Sequence, residues 1–190
     1  MKIIFIFLVF SLTTASAQAG LDITAYENLT MVKSPVLSAD GVPVAQNQII
    51  LFPSDFPERF EGLEAGKVYA FKSDFEFRAG TYSGYNHWRN ELAKLAGYQQ
   101  SSHVFNGKTE LRYDATAWNL KSGPFWELIN FSDAEGVIGP VVCKKIYKDF
   151  MRYADQAREH AENYFRESYD NWKKAFSMCA HDGAIAALRP

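Results

Sequence analysis

The residues best suited to chemistry lie in one segment, residues 78–89, where arginines, hydroxyls and glycines precede a predicted helix. Backbone N–H groups at a helix N-terminus are unpaired and the helix dipole is positive there, so such a turn suits an anion. An arginine can hold a phosphate or carboxylate through two parallel hydrogen bonds. The segment predicts a ligand site made of Arg78, Thr81, Ser83, Tyr85, His87 and Arg89. The alternative is a capped amphipathic helix without a ligand.

A second segment, residues 123–140, carries two carboxylates close together. Asp133 and Glu135 converge if this loop turns, and they point to opposite sides if it is extended. Converging carboxylates could bind a cation, hold a ligand hydroxyl, or serve as general acid and base. The alternative is that both acids only favour the dipole of the helix that follows. We expect this loop to face Arg78 in one shared site.

No motif in the chain specifies a metal or a cofactor. The four histidines are scattered, and no H-E-x-x-H, dinucleotide-binding or P-loop pattern occurs. Ser83 and His87 could suggest a nucleophile and its base. No nucleophile elbow surrounds Ser83, however, and this residue is better explained as a helix cap. The sequence therefore predicts no cofactor and no metal site.

Short strands and longer helices must position these segments. The predicted strands are residues 48–52, 67–77 and 111–118, each bounded by turn residues. A loop-rich part at 20–47 precedes them. Ser83 and Gly97 bound a predicted helix over 84–96, which places its apolar residues on one face. The expected fold class is α+β, mainly helical, with a small sheet.

The C-terminal part predicts either one long helix or a helical hairpin over residues 140–181. Its apolar residues keep one face throughout, and Cys143 and Cys179 both lie on that face. In a straight helix the 36 residues between the cysteines span about 54 Å, which excludes a disulfide. In a hairpin the two thiols could meet. Our hypothesis is that the cysteines are reduced or lie far apart, and the choice between one long helix and a hairpin stays open.

The first residues have the pattern of a secretory signal peptide. Lys2 precedes an apolar run too short to cross a bilayer, and small residues follow up to Ala19. We expect residues 1–19 to be removed and residues 20–190 to form one globular domain, periplasmic or secreted, without a membrane span. A content of 47% hydrophobic and 15% aromatic residues excludes a disordered chain, and a net charge of −2 gives no basic field for nucleic acid.

Three blocks resemble a family of uncharacterised bacterial and phage proteins. They are SGYNHWRNELAKLAGY at 83–98, GPFWELINFSDAEGVIG at 123–139 and FRESYDNWKKAF at 165–176. The resemblance covers residues 77–183 and leaves out the N-terminal third. That family has no established activity, so the resemblance implies no catalytic roles. Relatives often carry Cys where this chain has Ala134, and most lack an export signal.

Three function classes follow from these observations. The leading hypothesis is a binding module for a small polar or anionic ligand. The second is a hydrolase that uses Asp133 or Glu135 as acid or base, with Arg78 stabilising charge. The third is an exported interaction protein, such as an inhibitor or immunity factor, with an exposed apolar surface for a protein partner.

Overall fold

The computed structural model describes residues 20–120, 122–131 and 136–188, apart from the side chains of Phe105 and Leu188. Within these residues the strands are β1 Gly20–Glu27, β2 Thr30–Met31, β3 Gln48–Ile50, β4 Val68–Ala70, β5 Ser73–Thr81, β6 Ser101–Phe105, β7 Lys108–Arg112, β8 Gly136–Ile138 and β9 Ala184–Leu188. The helices are α1 Tyr82–Leu95, α2 Asp114–Asn119, α3 Trp126–Ile129, α4 Pro140–Arg152, α5 Ala154–Arg158 and α6 Asn163–Cys179. A short 3-10 turn spans Pro57–Phe60.

The expected fold class, mainly helical with a small sheet, is wrong. The structure is 39% helix and 27% strand, and its strands form three antiparallel sheets. The fold is therefore mixed α+β and not mainly helical. The expected sheet used only strands that are close in sequence. The largest sheet instead pairs β1 with β9, which lie near opposite ends of the described chain.

The main sheet has the strand order β5-β1-β9-β8, and all its pairs are antiparallel. Leu21, Ile23 and Ala25 alternate along β1 and are buried in the core that the sheet shares with the helices. On the same side Phe77 of β5 meets Trp172 of α6 edge to face, with ring centroids 5.2 Å apart. The central strand thus has the two-residue period of a sheet with one face under helices.

The part predicted as loop-rich, residues 20–47, therefore begins with the central strand β1. The prediction of a loop relied on turn residues that come later in this part, namely Pro35, Gly41 and Pro43. Other boundaries also differ. Residues 48–52 and 67–77 do contain β3, β4 and most of β5, but the predicted strand at 111–118 ends at Arg112 and continues as α2.

The other face of the main sheet carries a smaller apolar cluster. Tyr26 of β1 and Val137 of β8 pack there with Leu51 and Phe60, which come from the connection between β3 and β4. The three-stranded sheet β2-β4-β3 belongs to this side. The described part of the chain contains no helix that is long and apolar enough to cross a membrane.

The C-terminal region is a helical hairpin and not one straight helix. Cys143 of α4 and Cys179 of α6 form a buried disulfide, with their Cα atoms 5.7 Å apart. The expectation of reduced or distant cysteines is therefore wrong. The Tyr169 hydroxyl also donates to the Phe150 carbonyl at 2.7 Å, which joins the two arms. A continuous apolar face allows either arrangement, because both arms of a hairpin bury that face against each other.

Candidate functional site

The six residues predicted to bind a ligand are divided between two sides of α1 and the strand before it. Tyr85 and Arg89 are buried, because they are four residues apart on the face that meets the core. Ser83 and His87 are also four residues apart, and they lie on the other side of the same helix. The structure therefore does not bring all six side chains to one surface.

The turn before α1 is closed by its own side chains. Thr81, and not Ser83, is the N-cap, and its hydroxyl accepts from the Gly84 N–H at 3.1 Å. The Ser83 hydroxyl lies 3.2 Å from the Thr81 hydroxyl. On β5, Arg78 forms an ion pair with Asp22 at 3.4 Å. The groups expected to receive an anion at this turn thus have partners within the protein.

His87 also has a partner. Its Nε2 lies 2.8 Å from a carboxylate oxygen of Glu162, in the connection between α5 and α6. The hydrogen bond from His87 lowers the pKa of Glu162 below its ordinary value. Four residues further along α1, Glu91 contacts Nε2 of His160 at 3.3 Å. The two pairs join α1 to this connection.

Asp133 and Glu135, the predicted acid and base, lie outside the described residues, so their roles stay a prediction. The described chain resumes at Gly136 on the edge strand β8, whereas Arg78 lies on the opposite edge strand β5. Across the sheet, Gly136 of β8 pairs with Ala187 of β9. Ala187 pairs with Ile23 of β1, and Ile23 pairs with Phe77 of β5. Three strand spacings separate the two edges, roughly 14 Å, which gives no support to a site shared with Arg78.

The segment 123–131 has an unusual backbone held from several sides. Phe125 is fully buried in the left-handed region at φ 54°, where bulky residues are rare. Its N–H donates to Asp149 at 2.9 Å. Lys145 donates to the Gly123 carbonyl at 2.6 Å and also pairs with Asp149 at 3.0 Å. Strained backbone that its surroundings fix in this way occurs most often at functional sites.

Tyr98 holds the same segment from the end of α1. Its hydroxyl donates to the Pro124 carbonyl at 2.9 Å. Burial raises the pKa of Tyr98 to about 12, so the hydroxyl keeps its proton at neutral pH. Gly123 faces this hydroxyl at φ 132°, and a Cβ there would clash with it. The glycine is thus required both by its conformation and by the close approach.

Two buried arginines, Arg59 and Arg89, bind the end of this segment, and we name them the arginine pair. Their exposed fractions are 1% and 5%. Arg59 Nη1 donates to the Asn130 carbonyl at 2.8 Å. Arg89 Nη1 donates to the carbonyls of Ile129 at 3.3 Å and Phe131 at 2.7 Å, which lie on either side. Two guanidinium groups therefore converge on three consecutive residues.

Several N–H donors around the arginine pair have no acceptor. They are Nε and Nη2 of Arg59, Nε of Arg89 and Nε1 of Trp126, all buried and without a hydrogen-bond partner in the described structure. Trp126 adjoins Arg59, since the guanidinium carbon lies 5.5 Å from a ring centroid of this tryptophan. Buried donors are rarely left unpaired, so these groups require an explanation.

Charge at the arginine pair is also incompletely balanced. Among the described carboxylates, none forms an ion pair with Arg59 or Arg89, and the guanidinium groups are instead neighboured by aromatic rings. The Arg59 guanidinium carbon lies 3.8 Å from the centroid of Phe56, and that of Arg89 lies 4.6 Å from Tyr85. Burial lowers the pKa of Arg59, partly offset by Glu58 and Glu127 at longer range.

Sequence reasoning selected Arg89 and missed Arg59 and Trp126. Arg59 stands between Glu58 and Phe60 in a turn opened by Pro57, a pattern typical of an exposed charged turn. Its burial arises because Gly139, at the end of β8, donates its N–H to the Arg59 carbonyl at 2.7 Å. The flanking aromatics Phe56 and Phe60 were the available signal for a buried position.

The described residues contain no group of three or more His, Cys, Asp and Glu side chains that could hold a metal. Comparison with known proteins finds no family, no curated protein and no solved structure that matches this chain. The resemblance to uncharacterised bacterial and phage proteins therefore stays a prediction.

Proposed function

We propose that this protein binds a small anionic ligand at the arginine pair. The observation that carries the proposal is the set of buried N–H donors without acceptors on Arg59, Arg89 and Trp126. An anion supplies negative charge and several acceptor atoms at once, which the described protein groups around the pair do not. The segment 123–131, fixed by Phe125 and its partners, holds the pair in place.

The energetic cost of unpaired buried donors indicates that a bound anion should stabilise the folded protein. One buried donor without a partner costs about 1–3 kcal/mol, and more when the group is charged. An oxygen atom delivered by a ligand would remove that cost. Arg112 shows the contrast, because its Nε and Nη2 both donate to carboxylate oxygens of Asp114, so a protein group already occupies that edge of the guanidinium.

A thermal-shift measurement tests the proposal on the purified protein. Sodium acetate, benzoate, phosphate and sulfate are added at constant ionic strength, because salt alone also alters stability. A ligand at 100 times its Kd adds about 2.7 kcal/mol to the free energy of unfolding, which shifts Tm measurably. We expect at least one of these anions to raise Tm.

Two variants give the measurement its control. Arg59→Met removes the unpaired Nε and Nη2 of Arg59, and we expect it to abolish the anion-dependent shift. Arg78→Met removes an arginine that the structure pairs with Asp22 on the far edge strand, and we expect it to leave the shift unchanged. Equal loss in both variants, or no shift with any anion, would contradict the proposal.

An exported location is part of the proposal. Its support is the Cys143–Cys179 disulfide, because such bonds persist in oxidising compartments. The signal-peptide residues 1–19 lie outside the described residues. Mass spectrometry of the protein recovered from periplasm and medium tests the prediction, which requires an N-terminus at or near Gly20. Recovery of the uncut chain from the cytosol would contradict it.

A second candidate function, the interaction protein, is favoured by one exposed hairpin. Its aliphatic side chains are 45–70% exposed, and they are Val36, Leu37, Val42 and Val44. Backbone hydrogen bonds between Val36 and Val44 and between Ser38 and Val42 fix the hairpin. A double variant, V36S with V44S, tests this function. Loss of a co-purifying protein identified by mass spectrometry, with Tm unchanged, would support it, and no co-purifying protein would count against it.

A further inference from the structure

We infer that the edge strand β5 pairs with β5 of a second copy of this chain, antiparallel and about a two-fold axis at Phe77. The inference is independent of the anion site, because β5 is the edge of the main sheet opposite β8, whose end contacts Arg59. Three features lead to it. They are a long unpaired strand side, a self-complementary order of charges, and two phenylalanine rings at the edge.

One side of β5 has no strand beside it in the described part of the chain. The strand spans nine residues, Ser73–Thr81, and within the described residues it pairs with β1 alone. The other edge strand of the main sheet, β8, has three residues. A strand edge presents backbone N–H and C=O groups that can pair with another strand. The side of β5 is therefore the larger edge for strand addition to this sheet.

The exposed side chains of β5 carry charges in an order that complements itself. Asp74, Glu76 and Arg78 alternate with Phe75 and Phe77 and share the face of the sheet away from α6. In an antiparallel pair centred on Phe77, Glu76 of each copy lies opposite Arg78 of the other. Opposite charges at facing positions stabilise a strand pair.

The contact of Arg78 within its own chain is compatible with this pairing. Arg78 forms its ion pair with Asp22 on the neighbouring strand β1 at 3.4 Å. A guanidinium group has five N–H donors, so it can contact carboxylates on both sides of its strand. Arg78 would then lie between Asp22 of its own chain and Glu76 of the second copy.

The order of charges also selects the register. A two-fold axis perpendicular to the sheet keeps the exposed face of one copy beside the exposed face of the other, so the axis passes through a residue of β5. An axis at Glu76 would place two glutamates opposite each other, and an axis at Arg78 would do the same with two arginines. Like charges at facing positions are destabilising. Of these three registers, only the one centred on Phe77 pairs opposite charges without such repulsion.

The other face of β5 supplies an apolar contact at the same axis. Phe75 and Phe77 are only partly buried, and their rings are stacked with centroids 5.6 Å apart. The pairing places Phe77 of the two copies directly opposite, with Cα atoms about 4.5–5.5 Å apart. Cross-strand aromatic pairs are among the stabilising ones, and this pair removes ring surface from water. The rings and backbone thus supply affinity, whereas the charges fix the register.

Charge reversal tests the pairing on the purified protein. Sedimentation velocity measures the mass from micromolar to millimolar subunit concentrations. We expect the natural chain to dimerise in this range, and Glu76→Arg or Arg78→Glu alone to weaken the dimer at least about tenfold. An equimolar mixture of the two variants should form a heterodimer about as tight as the natural dimer, because each arginine again faces a glutamate.

Asp74→Asn is the matched control on the same strand. In this register Asp74 faces Gly80 of the second copy, so we expect the association to be unchanged. Dimerisation that depends on Asp74 and not on Glu76 would overturn the register. A natural chain that stays monomeric, or a dimer unaffected by both charge reversals, would overturn the pairing itself. If Arg78→Glu does not fold beside Asp22, the comparison of Glu76→Arg with Asp74→Asn decides.

Discussion

Two polar regions of this protein have similar compositions and opposite environments. The α1 turn, made of Arg78, Thr81, Ser83 and His87, lies at the surface, and its polar groups have partners in Asp22, Gly84 and Glu162 or in one another. The arginine pair is buried and retains donors without acceptors. Composition alone favours the first region as a ligand site. Hydrogen bonding favours the second, since groups already satisfied by the protein have less to gain from a ligand.

The sharpest test of this contrast is the stability of two arginine variants. Arg89→Met removes the donor that the Ile129 and Phe131 carbonyls share. We expect the free energy of unfolding to fall by about 3 kcal/mol, the range for breaking a buried charged network. Urea denaturation measures this change.

Arg78→Met is the matched control in the α1 turn. Its ion pair with Asp22 is exposed at 44% and 42% of the two side chains, and the distance is 3.4 Å. Such a pair contributes less than about 1 kcal/mol. If both variants lost a comparable free energy of unfolding, the α1 turn and the arginine pair would not differ in the way described.

A second prediction separates charge from geometry at the arginine pair. Arg59→Lys keeps a positive charge but replaces the fork of Nε and Nη2 by a single ammonium group. We expect affinity for the anion that raises Tm most to fall about tenfold, with a further fall in Arg59→Met. Calorimetry on the three proteins measures the series. A lysine variant that binds that anion as tightly as the natural chain would mean that charge, and not the fork, selects the ligand.

The local elements of this fold are predictable from the sequence, and the long-range ones are not. The helix expected at 84–96 corresponds to α1, and the strand expected at 48–52 corresponds to β3, because periodicity and turn residues act over a few positions. The pairing of β1 with β9 and the return of α6 onto α4 join distant residues. No local pattern contains that information.

Of the two arginines in the candidate site, one is predictable from its local sequence and the other is not. Arg89 was selected because it lies within a segment rich in polar residues next to a helix start. Arg59 was missed because its burial depends on β8, about 80 residues later, whose end binds the Arg59 carbonyl through Gly139. A single charged residue near aromatic neighbours does not predict burial by itself. The strand that packs against it must also be known.

A third prediction examines the cap of α1, where sequence and structure name different residues. Thr81→Ala removes the acceptor of the Gly84 N–H, and we expect a loss of about 1 kcal/mol of stability. Ser83→Ala removes only a hydroxyl contact at 3.2 Å, and its cost should be a few tenths of a kcal/mol. The reverse order in urea denaturation would restore Ser83 as the cap.

The smallest expected effect concerns pH at the α1 turn. His87 lowers the pKa of Glu162 in the folded protein below its ordinary value of 4.5. A depressed carboxyl pKa adds stability above the unfolded-state pKa, and this contribution is lost as pH falls through the folded-state pKa. The stability difference between the natural chain and His87→Ala should therefore be present at neutral pH and shrink below about pH 4.5. Urea midpoints measured from about pH 3 to pH 7 test this. A difference that instead grows between about pH 4.5 and pH 3 would mean that His87 acts through a group other than Glu162, and that the α1 turn is not satisfied by the partners assigned to it.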